Sequence, residues 1–338
     1  MAEPDLEAVA AFLCEALVDP PRAPLRMTLL AGGRSNLTYL VSDGRRQVVL
    51  RRPPRGHVLE TGHDMSREHR VLTALHRTRV PVAEPLALCA DASVIGAPFY
   101  VMSYVAGTAY RETAQLAALL PAEQEAVADG LADVLAELHL VDPAAVGLAE
   151  LGRPEGFLER QVRRWGTQLD ASRSRELADL DALGSELRAL LPTSRRGGIV
   201  HGDYRIDNTL TAADGRPAAI LDWEMATLGD PWSDLGYLVM WWDGINDLPT
   251  PIAATPGEVA GFPSSARLLE RYASRSGLDV GDLDWYVALA YYKTAVLFET
   301  IWYRHHLGGV ADDELEALKN LPPVLAARGR DALPARPA

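Results

Sequence analysis

The spacing of apolar positions changes character along the chain, and the changes mark out its elements. From Asp5 to Leu17 the apolar residues Leu6, Val9, Phe12, Leu13 and Leu17 fall on one side of a helix. The stretch RMTLLAGGRSNLTYLVSDGRRQVVLRRPP then breaks into short runs of Leu, Val, Tyr and Thr. Its AGG and SDGR interruptions predict strand, glycine loop, strand, tight Asp-Gly turn and strand, ending at Arg51 before Pro53. Helical spacing returns from Met65 to Arg77, with Asp64 as a start signal and Glu68 inside. PFYVMSYVAGT, from Pro98 to Thr108, reads as a continuous apolar strand ended by Gly107.

Beyond Pro121 the pattern is mainly helical, over 121 onward, 155–190, 231–242, 265–276, 283–307 and 312–327. One region departs from it. IVHGDYRIDNTL runs into NTLTAADGRPAAILDWE, where a second Asp-Gly turn, Asp214-Gly215, joins two short strands, one led by Asn208 and the other ending at Asp222. DGINDLPTPIAATPGEVAGFP is a Gly/Pro-rich loop, and the tail RGRDALPARPA is expected to fray. The expectation is an α+β protein: a small, mostly antiparallel sheet region over 1–103, then a larger helical region over 104–338.

Composition narrows the function classes. The length of 338 residues suits two domains or two lobes. A net charge of −13 argues against nucleic acid as a partner, because phosphate neutralisation needs surplus cations. Cys14 and Cys89 form neither a metal motif nor a disulfide framework. The most apolar run, WYVALAYYKTAVLFETIWY, carries Lys293 and Glu299, so a buried helix is expected there and no membrane span. The amino terminus shows no secretory pattern, and a cytoplasmic location is expected. The oligomeric state is not legible.

Three residues of the polar region suit one reaction. Moving a γ-phosphoryl group from ATP to an alcohol requires an acceptor for the hydroxyl proton, oxygen ligands for Mg²⁺ and a cation on the phosphates. Asp203, five residues before Asn208, can face the attacking hydroxyl. Asn208 offers a neutral carbonyl oxygen to the metal, and Asp222 can bridge metal and phosphate. The bland reading of all three is turn capping. His201 is expected to set the shape of the loop rather than transfer a proton, and Asp234 to brace it.

HGDYRIDN followed by ILDWE resembles the catalytic and metal-binding segments of aminoglycoside phosphotransferases and choline kinases, which share the protein-kinase-like fold. The likeness covers most of the chain. AGGRSNLTYLV sits where the nucleotide loop belongs, VVLR where the ATP-contacting cation belongs, and REHRVL supplies the helix glutamate. FYVMSYVAGT looks like the hinge and LGDPWSDLGYL like the segment under the catalytic loop. In wording, GGRSNLTYLV, PFYVMSYVAG and LDWEMATLGDP are most similar to the phosphotransferase-like domains fused to some acyl-CoA dehydrogenases.

That resemblance implies a two-lobed kinase-like fold and ATP with Mg²⁺ as cofactors. Phosphates would be held by Gly33, Arg34, Ser35 and Asn36, and by Arg51 paired to Glu68. Adenine would meet the backbone of Ser103 and Val105, the metal Asn208 and Asp222, and the acceptor hydroxyl Asp203. Trp223 and Glu224 are candidates for the acceptor pocket. The acceptor implied is a small-molecule alcohol: a hydroxyacyl compound by likeness to the dehydrogenase-fused domains, or an aminoglycoside, choline-like or sugar alcohol by likeness to the wider family. One departure stands out. Kinases of this type place a lysine where Arg51 stands, and the chain has no lysine before Lys293. A non-catalytic nucleotide-binding domain and a metallohydrolase are the competing classes.

Overall fold

Asp5 opens the first helix, α1 (Leu6–Ala16), by accepting from the Glu7 and Ala8 amides, as a residue at that position does to satisfy otherwise unpaired N–H groups. The computed structural model describes residues 4–22, 24–32, 36–54, 64–248, 253–308 and 313–334. The chain divides into two units, Met1–Gly107 with Ala218–Ala226, and Thr108–Pro217 with Thr227–Ala338.

The first unit is built on β1 (Arg26–Gly32), β2 (Leu37–Ser42), β3 (Gln47–Arg52), β4 (Pro85–Cys89) and β5 (Phe99–Ser103), an antiparallel sheet of order β1-β2-β3-β5-β4. Period-two alternation gives it two distinct faces. Leu37, Tyr39, Val41, Val48, Leu50, Phe99 and Val101 point to one face and pack with Val9 and Leu13 of α1. On the other face, Thr38 pairs with Arg51 and Arg51 with Tyr100, which lines up three polar side chains across β2, β3 and β5. α2 (Met65–Leu75) starts at Asp64, whose side chain accepts from the Arg67 amide, and buries Met65, Glu68, Val71, Leu72 and Leu75.

β4 was not expected from the pattern. It is short, begins at a proline and forms the sheet edge, where a proline's missing N–H does no harm. β5 stops at Ser103, short of the predicted end at Thr108; the Ser103 amide turns to the Glu84 carbonyl (2.8 Å).

The second unit carries α3 (Thr113–Ala117), α4 (Pro121–Leu140), α5 (Phe157–Ala171), α6 (Ala178–Ala189), β6 (Gly198–Val200) and β7 (Thr209–Thr211). The turn at Asp214-Gly215 leads into β8 (Pro217–Ile220), which passes to the first unit. β9 (Thr227–Gly229) pairs antiparallel with β6. α7 (Trp232–Val239), α8 (Ser265–Ser276), α9 (Asp284–Gly308), α10 (Asp313–Ala317) and α11 (Leu321–Ala332) complete it.

The helical spacing expected over 155–190 is divided between α5 and α6, parted between Ser172 and Leu177. That expected over 312–327 is broken by a tight turn at Leu318–Asn320, after which Pro322 and Pro323 restart α11; proline suits the first turn of a helix and not its interior. α7 passes into a wider turn at Met240–Gly244. α9, the apolar run with Lys293 and Glu299, is a buried helix packed on α5, α7 and α11. Among the described residues no helix is long and apolar enough to cross a membrane.

Two chains of backbone meet closely where α7 passes α9. A Cβ on Gly236 would lie 2.5 Å from the carbonyl carbon of Tyr286, so only glycine admits this approach. α7 carries Asp234 and Tyr237, and α9 carries Lys293.

Candidate functional site

In the first unit the polar sheet face becomes a closed network around Arg51. Its Nε donates to Glu68 Oε2 (2.9 Å), its Nη2 to Asp222 Oδ1 (2.6 Å) and its Nη1 to Thr38 Oγ1 (3.3 Å). Strand alternation sends the neighbouring Arg52 the other way, where it is buried and donates to the Pro53 and Ile95 carbonyls. Glu68 accepts twice more, from the Tyr100 hydroxyl (3.0 Å) and from Asn36 Nδ2 (2.9 Å), and the same Asn36 nitrogen also donates to Glu224 Oε2 (3.1 Å). Burial pushes the Glu68 carboxyl up, with Arg51 opposing. Burial alone would lower Arg51, but Glu68 and then Asp222 hold its proton more tightly than usual.

Asp222 adopts a left-handed backbone (φ 62°), uncommon for a residue with a Cβ. It follows β8, which is anchored by the Ile220 amide on the Pro81 carbonyl (2.8 Å). Trp223 is buried with its indole N–H on the Ile220 carbonyl (3.0 Å). Trp223 and Glu224 therefore stand in the first unit, Glu224 within the Arg51 network. Ser103 ends β5 with its amide taken by Glu84, and Val105 is half-buried beyond it. Gly33, Arg34 and Ser35 lie outside the described residues.

In the second unit β6 leads into the loop that carries Asp203. Asp234, at the start of α7, accepts from the His201 amide (2.7 Å) and the Gly202 amide (2.8 Å). Gly202 has φ 84°, the left-handed conformation glycine tolerates, and this bends both amides toward one carboxylate. His139 reaches Asp234 through Nε2 (3.3 Å); because an ionised carboxylate only accepts, His139 Nδ1 then accepts from the Tyr272 hydroxyl (2.8 Å). Burial acts to raise Asp234, but His139 outweighs it and the carboxyl stays below its ordinary value. His201 is fully buried, and its Nδ1 accepts from the Asp203 amide (3.1 Å).

Asp203 and Asn208 come together. Asn208 Nδ2 donates to Asp203 Oδ2 (2.7 Å) and to the Asp203 carbonyl (2.9 Å). Arg205 Nε donates to Asp203 Oδ1 (3.1 Å) while its guanidinium lies 4.7 Å from the Trp241 ring centre. Burial would raise Asp203, yet Arg205, then Lys293 and the Tyr237 hydroxyl, keep it below the usual carboxylate range. Asp207, paired to Arg205 at 3.3 Å, is instead pushed up to about 6 by burial.

The donors suit a hard cation. Asn208 Oδ1 and Asp222 Oδ2 have no hydrogen-bond partner among the described residues, and both are oxygens of the kind Mg²⁺ prefers.

The profile of the phosphotransferase enzyme family, APH, matches residues 26–283. A crystal structure from Ralstonia eutropha, described as a candidate aminoglycoside phosphotransferase, is 31% identical, covers 98% of each chain and superposes with a TM-score of 0.82. The chain belongs to the phosphotransferase enzyme family. Its fold is kinase-like: choline kinase from Cryptosporidium parvum is 13% identical over 97% of this chain and 96% of its own, with a TM-score of 0.63. The aminoglycoside phosphotransferase APH(4)-Ia, solved with AMP-PNP and hygromycin B, is 19% identical over 95% and 98%, with a TM-score of 0.60. Rat acyl-CoA dehydrogenase family member 11 is 32% identical over 96% of this chain but 43% of its own length, so the chain spans about two fifths of that relative.

Several residues of these networks escaped the sequence reading. Tyr100 was read only as part of an apolar strand; its place opposite Arg51 depends on strand register, which sequence leaves open. Arg205 had a signal, standing two residues after Asp203 inside the polar loop. Lys293 had one too, as the lone lysine of an apolar helix.

Proposed function

We propose that the chain is an ATP-dependent kinase acting on a small-molecule alcohol, with a hydroxylated acyl compound as the preferred acceptor. The observation that carries this is Asp203: ionised, held at one oxygen by Arg205 and at the other by Asn208, in a loop braced by Asp234. A carboxylate so held accepts the hydrogen bond of an incoming hydroxyl and fixes its direction, the positioning that a loose phosphoryl transition state mainly requires. As the acceptor oxygen bonds to the γ-phosphorus, the bond from that phosphorus to the β-bridging oxygen breaks. The hydroxyl proton passes to Asp203, and ADP leaves.

Asn208 and Asp222 are the residues that would hold Mg²⁺, which when bound neutralises charge on the phosphate oxygens. Arg51 supplies the cation that the family usually takes from lysine. Its fork serves Glu68 and Asp222 at once, and a guanidinium keeps its charge under burial. The Ser103 carbonyl and the Val105 amide are assigned to adenine. The acyl preference draws on the acyl-CoA dehydrogenase relatives, whose names concern acyl-CoA and of whose length this chain spans about two fifths. Aminoglycosides rank second, through APH(4)-Ia and its hygromycin B complex.

The test is ADP release from Mg²⁺-ATP across hydroxyacyl-CoAs, aminoglycosides, choline and sugar alcohols, with GTP compared as donor. Turnover highest with a hydroxyacyl compound supports the full reading, and turnover with another alcohol corrects the acceptor alone. Nucleotide binding without ADP from any acceptor would favour the non-catalytic reading that the missing lysine invites. Ester cleavage without ATP would favour a hydrolase.

A further inference from the structure

Lys293 is one of two lysines in the chain, and its ammonium is buried within the second unit. Nζ donates to the Gly202 carbonyl. It also lies 4.0 Å from the ring centre of Tyr237 and 5.7 Å from that of Trp165. The Gly202 carbonyl and the Asp203 amide are the two ends of one peptide group. The amide end is held by His201 Nδ1 (3.1 Å), and the carbonyl end by Lys293. That peptide plane sets the direction in which the Asp203 side chain leaves the backbone. Tyr237 closes the arrangement with its ring against the ammonium, and its hydroxyl helps to hold the Asp203 carboxyl low.

We infer that Lys293 is a positioning residue for Asp203, fixing from α9 the peptide that aims the carboxylate at the acceptor hydroxyl. The inference rests on the kinase reading above. Packing alone would not select a lysine here, since burying an ammonium is unfavourable and a methionine would fill similar space. The groups facing Nζ are Gly202, Asp203 and Arg205 from the loop, Asp234 and Tyr237 from α7, and Arg164 and Trp165 from α5. Burial brings the ammonium down to about 8, with Asp203 and then Asp234 opposing and Arg164 and Arg205 adding to the fall. Charge on Lys293 is therefore present below that pH and lost above it.

The experiment compares wild type, K293M, K293R and D203N, with lysines labelled at the ε carbon for NMR. K293M should lose about 10²-fold in kcat, as a misaimed group does, with the nucleotide KM unchanged. The alkaline fall of kcat near pH 8 should vanish in K293M and persist, shifted upward, in K293R. In wild type the lysine signal absent from K293M should titrate near pH 8, and in D203N lower, because the carboxylate supporting its charge is gone. Unchanged kcat and an unmoved alkaline limb in K293M would overturn the inference. So would a Lys293 titration indifferent to D203N, a result obtainable even where K293M does not fold, with the signal then assigned by its absence from K293R. Should wild type phosphorylate no acceptor, the kinase reading fails by itself while the lysine titration still decides the coupling to Asp203.

Discussion

Arg51 and Glu68 show how a single side chain can hold two jobs. Glu68 is 2% exposed and Arg51 13%, so each carries a charge that water barely reaches. Removing one partner leaves the other buried without its counter-charge, which is far more harmful than the pair is favourable. Arg51→Ala should therefore destabilise the protein by about 3–5 kcal/mol, read as a shift in the urea midpoint. Arg51→Lys should fall between that variant and wild type, because one ammonium cannot reproduce a fork that meets Glu68 and Asp222 together. A wild-type midpoint in Arg51→Ala would remove the network from the account. At this scale the sequence showed which residues were chemical and not which were neighbours. HGDYRIDN singled out Asp203 and Asn208 by their order, and VVLR singled out Arg51. Tyr100 stayed hidden inside FYVMS, because nothing local distinguishes a tyrosine that meets Glu68 from one that fills core.

At the scale of elements, the chain's periodicities are legible where one face of an element is buried. α1, α2, α8, α9 and the first three strands all follow from their patterns. The misses share a cause. β4 is too short and too mixed to show alternation, and the helical spacing over 155–190 and 312–327 leaves open where one helix ends and the next begins. Packing between elements also depends on single positions. Gly236 lets α7 lie against the Tyr286 backbone of α9, and those helices carry Asp234, Tyr237 and Lys293 to the Asp203 loop. Gly236→Ala should force the two helices apart, lowering stability by about 1–3 kcal/mol and reducing turnover more than nucleotide affinity. Thermal unfolding with a paired kcat and Kd determination checks this; equal stability would mean that the close approach is dispensable.

For the whole molecule, family membership and the kinase-like fold are established by the match over residues 26–283 and the full-length likeness to the Ralstonia protein. Each unit carries its own polar network: Arg51 with Glu68 and Asp222 in the first, Asp203 with Asn208 and Arg205 in the second. The proposed kinase activity gives Asp203 a role in transfer and none in nucleotide binding. The most direct measurement is Mg²⁺-ATP binding and ADP production in wild type and Asp203→Asn side by side, with the best acceptor present. Nucleotide affinity should be preserved while turnover falls by about two to four orders of magnitude, the loss expected of a positioned base. Undiminished turnover in the variant would contradict the assignment.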